Sequence, residues 1–556
     1  MALKMTNIKD YEIYKNGNDY SAPVFYALRD MKAKGSGTLF FPKGVYHFYP
    51  NNCVERLLYI SNHDSGIKSI LFDLDGFQDF TIDADGSEFV FHGRILPFSV
   101  QNSANITLKN LSIDYDRPFF TEGEVLYADP KRIALKIDSE KYPYRIDDDV
   151  ITFYAPEWEC SHIKWFVEFD VNTNAITEGM RDTLLKTQRV KAKLVEQNVV
   201  EFYADFNQTH NVGNIINITH EYRYNPGVFI SKSCNINIEN IVVHHAGAMA
   251  LIAQNSSDIL LNGFKTKRSN NRMVTANNDA SHFVNCTGLV RLENCYFENQ
   301  LDDGCNVHGI YNQVLNMYDE NIFELGLMHF QQEGVITIKK GDVVAVCDSN
   351  TLRHKNYLNV EDVIFINGYR YAIKASLCND TQVGVGDIIE SHLRLPNVEI
   401  EGCTFSNNRA RGILISTNKS ATIKKCLFRS SGTAIKGVGE AKYWYESGAL
   451  GKLHVFENTF DNCLYCPYGK AVIAIGGEKD NIPNDYFNKS ITIENNSFIT
   501  KGQTVLSALS VEEINFNKNN IKIEGCTNKK NIDDIIDIHI YKVSKTEENT
   551  IIQDCI

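Results

Sequence analysis

The sequence predicts an all-β chain: a parallel β-helix with two small β-barrel-like domains inserted between its coils. Three observations carry that prediction. An eight-residue phrase recurs along the chain, several copies stand 23 residues apart, and the phrase vanishes from two long stretches.

The phrase reads apolar, any, apolar, any, often Asn or Gly, any, any, apolar. It appears as ITLKNLSI from Ile106, INIENIVV from Ile236, ILLNGFKT from Ile259 and VRLENCYF from Val290. It continues as VEIEGCTF from Val398, ATIKKCLF from Ala421, LHVFENTF from Leu453, ITIENNSF from Ile491 and INFNKNNI from Ile514. Alternation with period two belongs to strands. The pairs Ile236–Ile259, Val398–Ala421 and Ile491–Ile514 are each 23 residues apart. That is too short for helix-pair repeats and suits one coil of short strands and corners.

The columns of the phrase agree. Its eighth position is Phe297, Phe405, Phe428, Phe460 and Phe498, an expected internal ladder of rings. Its sixth is Cys295, Cys403, Cys426, then Asn458, Asn496 and Asn519: small apolar fillers followed by amides that bond along the stack. Those cysteines therefore read as structural. Cys463 and Cys466 form a CxxC without a second pair at zinc-like spacing, so no metal is expected there.

Taken in order, residues 1–119 read as cap and first coils. APVFYALRDMKAKGSGTLFFPKGVYHF supplies a short amphipathic helix, a Gly-rich turn and a strand that cover the open end. Residues 120–222 and 311–396 lose the phrase for alternating segments such as EGEVLYADPKRIALKIDSE and GVITIKKGDVVAVCDSN, the two expected insertions. Residues 223–310 and 397–556 are the central and C-terminal coils.

At 556 residues the chain exceeds one ordinary core. A net charge of -13 argues against nucleic acid as a partner. No apolar run is long enough to span a bilayer, and MALKMTNIKDYEIYKNGNDY has no signal-peptide character. The expectation is a cytoplasmic protein, or a periplasmic or secreted one whose signal was removed. A homodimer is the assembly to test.

The candidate chemistry centres on LDDGCNVHG, residues 301–309. Asp302 lies 12 residues after Val290. The preceding coil runs 31 residues from Ile259 to Val290, and assigning the excess eight to the polar KTKRSNNRMVTANN puts Asp279 at the matching point. Asp279 and Asp302 would then stack at about 4.8 Å, with Asp303 turned elsewhere. Three close carboxyls raise one another's pKa, which costs stability unless the arrangement is used. Two uses compete: an acid beside an ionised partner for glycosidic cleavage, or a calcium site completed by Asn277, Asn278 and Asn306.

NNDASHFVNCTG followed by LDDGCNVHG resembles glycoside hydrolase family 110, the α-1,3-galactosidases that remove terminal galactose from blood-group-B-like glycans. NRARGILIST, residues 408–417, and YWYESGAL, residues 443–450, extend the match, which spans about residues 224–460. The resemblance implies a right-handed β-helix with inserted barrels, exo-acting hydrolysis without a metal or other cofactor, and inversion at the anomeric carbon. It carries the acidic residues onto Asp279, Asp302 and Asp303, with Asp279 expected as acid and the Asp302–Asp303 pair as base and water holder. The substrate-binding set is Asn277, Asn278, Asn306, His308, Arg411, Trp444 and Glu446, with Trp444 stacking on the apolar face of galactose. His244, His245 and His282 are left outside it. The implied partner is a glycan ending in α-galactose. Rival readings are a polygalacturonase-like hydrolase, a calcium-dependent polysaccharide lyase and a non-catalytic glycan-binding β-helix.

Overall fold

The computed structural model describes residues 5–186, 189–220, 223–378, 383–476, 485–526 and 529–555. The expected boundary at residue 222 and the outermost residues 1–4 and 556 lie outside them.

The copies from Ile106 and Ile236 each lie in one strand, and the others are split by a corner between two strands. All pair in parallel, first apolar position on first apolar position. Ile106 pairs with Ile236, Ile236 with Ile259, Ile259 with Val290 and Val290 with Val398. The series continues through Ala421, Leu453, Ile491 and Ile514. In-register stacking follows because a slip by one residue would turn every apolar side chain from the core to solvent. The chain is therefore a parallel β-helix.

Inside the coils the phenylalanines form the ladder. Phe405, Phe428, Phe460 and Phe498 stack nearly parallel with centroids 5.0, 4.9 and 4.6 Å apart, while Phe297 tilts by 48° against Phe405. In the neighbouring column Asn458 Nδ2 donates to Asn496 Oδ1, and Asn496 Nδ2 to Asn519 Oδ1, both at 3.0 Å. Each of those oxygens also accepts the backbone N–H of the coil beside it. Cys295, Cys403 and Cys426 continue the column as free, buried thiols, with Cys403 Sγ accepting from the Cys295 N–H.

One end carries the helix Ser21–Lys34, which buries Val24, Ala27, Leu28 and Met31 in the core at helical spacing and ends at Gly35 in the left-handed region, φ 91°. Two antiparallel units interrupt the coils. The first leaves through strand Phe120–Ala128 and returns through Ile215–Thr219, which pair with each other. Its ladder runs from Tyr144–Asp147 to Ala175–Ile176 with no closing pair among the described residues. The second is a closed barrel of six strands, from Asn312–Asp319 to Ile388–Glu390. Both touch the coils where the acidic cluster lies. Glu122 accepts the N–H groups of Met273 and Val274, and Gln332 Nε2 donates to the Trp444 carbonyl at 2.7 Å.

Candidate active site

The cluster sits where three consecutive coils turn into strands Ser281–Val284, Cys305–Ile310 and Ile413–Ile415. Their register pairs Ser281 with Cys305 and Cys305 with Ile413. The step between the first two is thus 24 residues, so Asp279 stacks on Asp303 and not, as the spacing suggested, on Asp302. Seven of the eight extra residues lie in the polar loop. The eighth is a bulge next to Gly288, φ 66°, where the ladder slips between Ser257–Thr287 and Ile259–Val290.

The column Asp279, Asp303, Arg411 that results is held by its own backbone. Asp279 Oδ1 faces the Asp303 N–H at 3.4 Å, and Asp303 Oδ1 accepts the Arg411 N–H at 2.9 Å. Asp303 Oδ2 receives the Arg411 guanidinium at 2.8 Å. Asp302, one residue off the column, is paired by Arg223 at 3.0 Å, with Arg409 at 3.9 Å. One oxygen from each of the three carboxyls lies within 4.8 Å of the others.

They line a cavity of about 220 Å³ together with Asn62, Trp165, Arg223, His282, Asn306, Arg409, Arg411, Trp444 and Glu446. Trp165 belongs to the first insertion, whose Asp182 also anchors Arg409 through Nε at 2.9 and 2.8 Å. The Arg223 guanidinium lies 4.8 Å from the Trp444 ring, which packs on His329 from the second insertion at 4.3 Å.

Burial, reinforced by Asp302 and Asp303, pushes the Asp279 carboxyl well above the usual range. Burial likewise raises Asp303, to about 7, with Arg411 opposing and Asp302 adding to the rise. His282 is held well below the ordinary imidazole value by burial and by the neighbouring His308 and Arg223. Its Nδ1 meets Asp279 Oδ2 at 2.6 Å.

Of the expected substrate-binding residues, Asn306, Arg411, Trp444 and Glu446 reach the cavity. Asn277, Asn278 and His308 are not among its lining side chains. Asn277 is fully buried, with Nδ2 on the Phe119 carbonyl, and Asn278 beside it is fully buried too. His308 stands one layer behind, its Nε2 2.8 Å from His282 and 3.4 Å from Glu446. Both asparagines lie in the bend that precedes strand Ser281–Val284, buried away from the cavity. His282, left outside the expected set, lines the cavity; its sequence signal was an Asp-x-x-His spacing one coil before a second His. Arg223, Trp165 and Asn62 gave no sequence signal, because they arrive from another coil and from an insertion.

Residues 121–216 match the family model described as GLAA-B beta-barrel domain I. The chain is 33% identical to α-1,3-galactosidase A of Shewanella woodyi, over 93% of this chain and 86% of that protein. It is 31% identical to an α-1,3-galactosidase B of Phocaeicola vulgatus, over 94% and 92%. To the α-1,3-galactosidase B of Bacteroides thetaiotaomicron it is 28% identical, over 94% and 86%. With that degree of identity along nearly the whole chain, and with the acidic column set between its two insertions, the protein belongs to the α-1,3-galactosidases of glycoside hydrolase family 110.

Proposed function

We propose that this chain is an exo-acting, inverting hydrolase of terminal α-1,3-linked galactose, with Asp279, Asp302 and Asp303 as its catalytic carboxyls. Sugar and linkage follow from the relatives' activity. The observation that carries the chemistry is three carboxyls within 4.8 Å in a cavity of about 220 Å³ that Trp165 and Trp444 also line. A pocket walled in this way favours a chain end over an internal residue.

Access divides the roles. The Asp302 side chain is 13% exposed, against 3% for Asp279 and 1% for Asp303. The glycosidic oxygen, carried on a bulky substrate, meets Asp302 most readily, so Asp302 is the acid. A water is small enough to sit against the buried pair, so Asp279 and Asp303 hold and deprotonate it. This reverses the role expected for Asp279 from sequence. Asn306 Oδ1, buried and without a hydrogen bond inside the protein, is suited to accept a sugar hydroxyl. Arg411, Trp444 and Glu446 complete the ring's contacts.

The carboxyl spacing is tighter than the roughly 6.5–9.5 Å usual for inverting pairs. Inversion here rests on the family relationship. The test is hydrolysis of a panel of α-linked galactosides, with NMR of the first-formed sugar. β-Galactose from the chain end is the expected product. The α-anomer overturns inversion, and internal cleavage overturns the exo reading. An aryl galactoside with a good leaving group should spare Asp302→Asn but neither Asp279→Asn nor Asp303→Asn; a spared Asp279→Asn returns the acid role to Asp279. Activity abolished by chelator and restored by calcium would point to the lyase reading instead.

A further inference from the structure

Behind Asp279 stands a row of groups that the hydrolysis as described does not use. Asp279 Oδ2 meets His282 Nδ1 at 2.6 Å, His282 Nε2 meets His308 Nε2 at 2.8 Å, and His308 Nδ1 meets the Gly309 carbonyl at 2.6 Å. Both rings are about 1% exposed, so water does not reach them freely.

The row's proton count follows from what each atom can do. The Gly309 oxygen only accepts, so His308 Nδ1 carries a hydrogen. Two bare nitrogens facing each other at 2.8 Å would repel, so one hydrogen lies between the two Nε2 atoms. If that hydrogen belongs to His282 and both rings are neutral, His282 Nδ1 is a lone pair and the proton at 2.6 Å sits on Asp279. If Asp279 is ionised, one ring is an imidazolium. Every allowed arrangement therefore holds one proton more than an ionised aspartate with two neutral rings.

We infer that His282 and His308 form a proton relay joining Asp279 to Glu446, storing the proton that Asp279 must give up before it can accept one from water. The inference rests on the reading of Asp279 as a water-side base. The step balances within the row. Asp279 passes its proton to His282 Nδ1 while His282 Nε2–H passes to His308 Nε2. The result is an Asp279 carboxylate, a neutral His282 bearing Nδ1–H, and a His308 imidazolium 3.4 Å from Glu446 Oε1. Glu446 also accepts from Asn62 Nδ2 at 3.3 Å and lines the cavity, so a sugar hydroxyl bound to it acts on the resting place of the proton.

Other charged groups around the row set its balance. Asp302, Asp303, Arg223 and Arg411 face Asp279, and Arg223, Arg411 and the buried His63 face His282. Burial holds His63 down at about 3, so it is neutral; the two guanidinium groups oppose an imidazolium at His282, which favours its passage on to His308, beside Glu446. His282 and His308 are positioning residues in this scheme: they act through Asp279.

The test has a readout independent of turnover. In the full-length protein with 15N-labelled histidine, NMR should find His308 protonated at Nδ1 and one hydrogen shared between the two Nε2 nitrogens. A His308 bare at Nδ1, or two bare Nε2 nitrogens, overturns the relay even if Asp279 proves catalytic. A stoichiometric metal ion in the purified protein held by His282, His308 and Glu446 overturns it too, since the ion would occupy both lone pairs. In kinetics, His308→Gln should lower kcat by about 10²-fold, the low end of general acid–base effects, with KM little changed. The acidic limb of its pH–rate profile should move to higher pH, because Asp279 can no longer discharge its proton. A uniform loss at every pH with the limb in place means a merely structural histidine. Full activity of Asp279→Asn alongside the expected NMR signals would overturn the base role on which the inference rests, not the hydrogen-bonded row.

Discussion

The interior columns and the acidic column are built by one device with opposite energetic signs. A β-helix puts like over like at about 4.8 Å. Where the stacked groups are neutral, as with Phe428 on Phe460 or Asn496 on Asn519, each coil supplies what its neighbour needs. Where they are carboxyls, as with Asp279 beneath Asp303, the same repeat compresses like charges in a buried wall. Arg411 and Arg223 offset that repulsion, and neither belongs to the repeated phrase. The contrast separates residues that keep the coil standing from residues that the coil is made to strain.

Exchanging the two kinds of substitution breaks the comparison most sharply. Asp303→Asn keeps the size of the side chain and removes the charge, so turnover should fall by about 10²–10⁴-fold while the melting temperature holds or rises. A folded variant with full activity would remove Asp303 from the site. The interior should behave in reverse. Phe428→Ala opens a gap in a fully buried ladder and should cost about 3–5 kcal/mol, read by denaturant unfolding, with kcat per folded molecule nearly unchanged. A loss of activity beyond the folded fraction would mean that the ladder tunes the site.

The smallest expected effect is on the pH dependence of stability. Asp303 is raised to about 7 in the folded chain, above an unfolded value of about 3.9. A raised carboxyl favours the folded state while it is protonated. Its contribution is therefore full below pH about 4 and lost as pH climbs through about 7. Asp303→Asn should flatten that decline in thermal melts recorded across the window. An unchanged slope would mean that the Arg411 pair keeps Asp303 ionised throughout.

Much of the fold was legible because the phrase is periodic and its register is enforced by burial. All nine copies pair as their first apolar residues suggest, and the Phe and Asn columns follow from counting. The site was legible in part. LDDGCNVHG and the Asp279 segment marked the right coils, but one residue in the bulge beside Gly288 moved the partner of Asp279 from Asp302 to Asp303. A bulge adds a residue without interrupting the apolar alternation, so a count along the neighbouring wall cannot see it.

By itself the sequence determined the coil, the columns and the family, since these depend on side chains that recur at fixed intervals and must be buried. Tertiary structure decided the cavity. Arg223 comes from the start of the central coils, Trp165 from the first insertion and Trp444 from a loop braced by the second. His282 and His308 became a pair only when two coils set their rings 2.8 Å apart. Electrostatic coupling depends on distance and burial, and neither is a property of spacing along a chain.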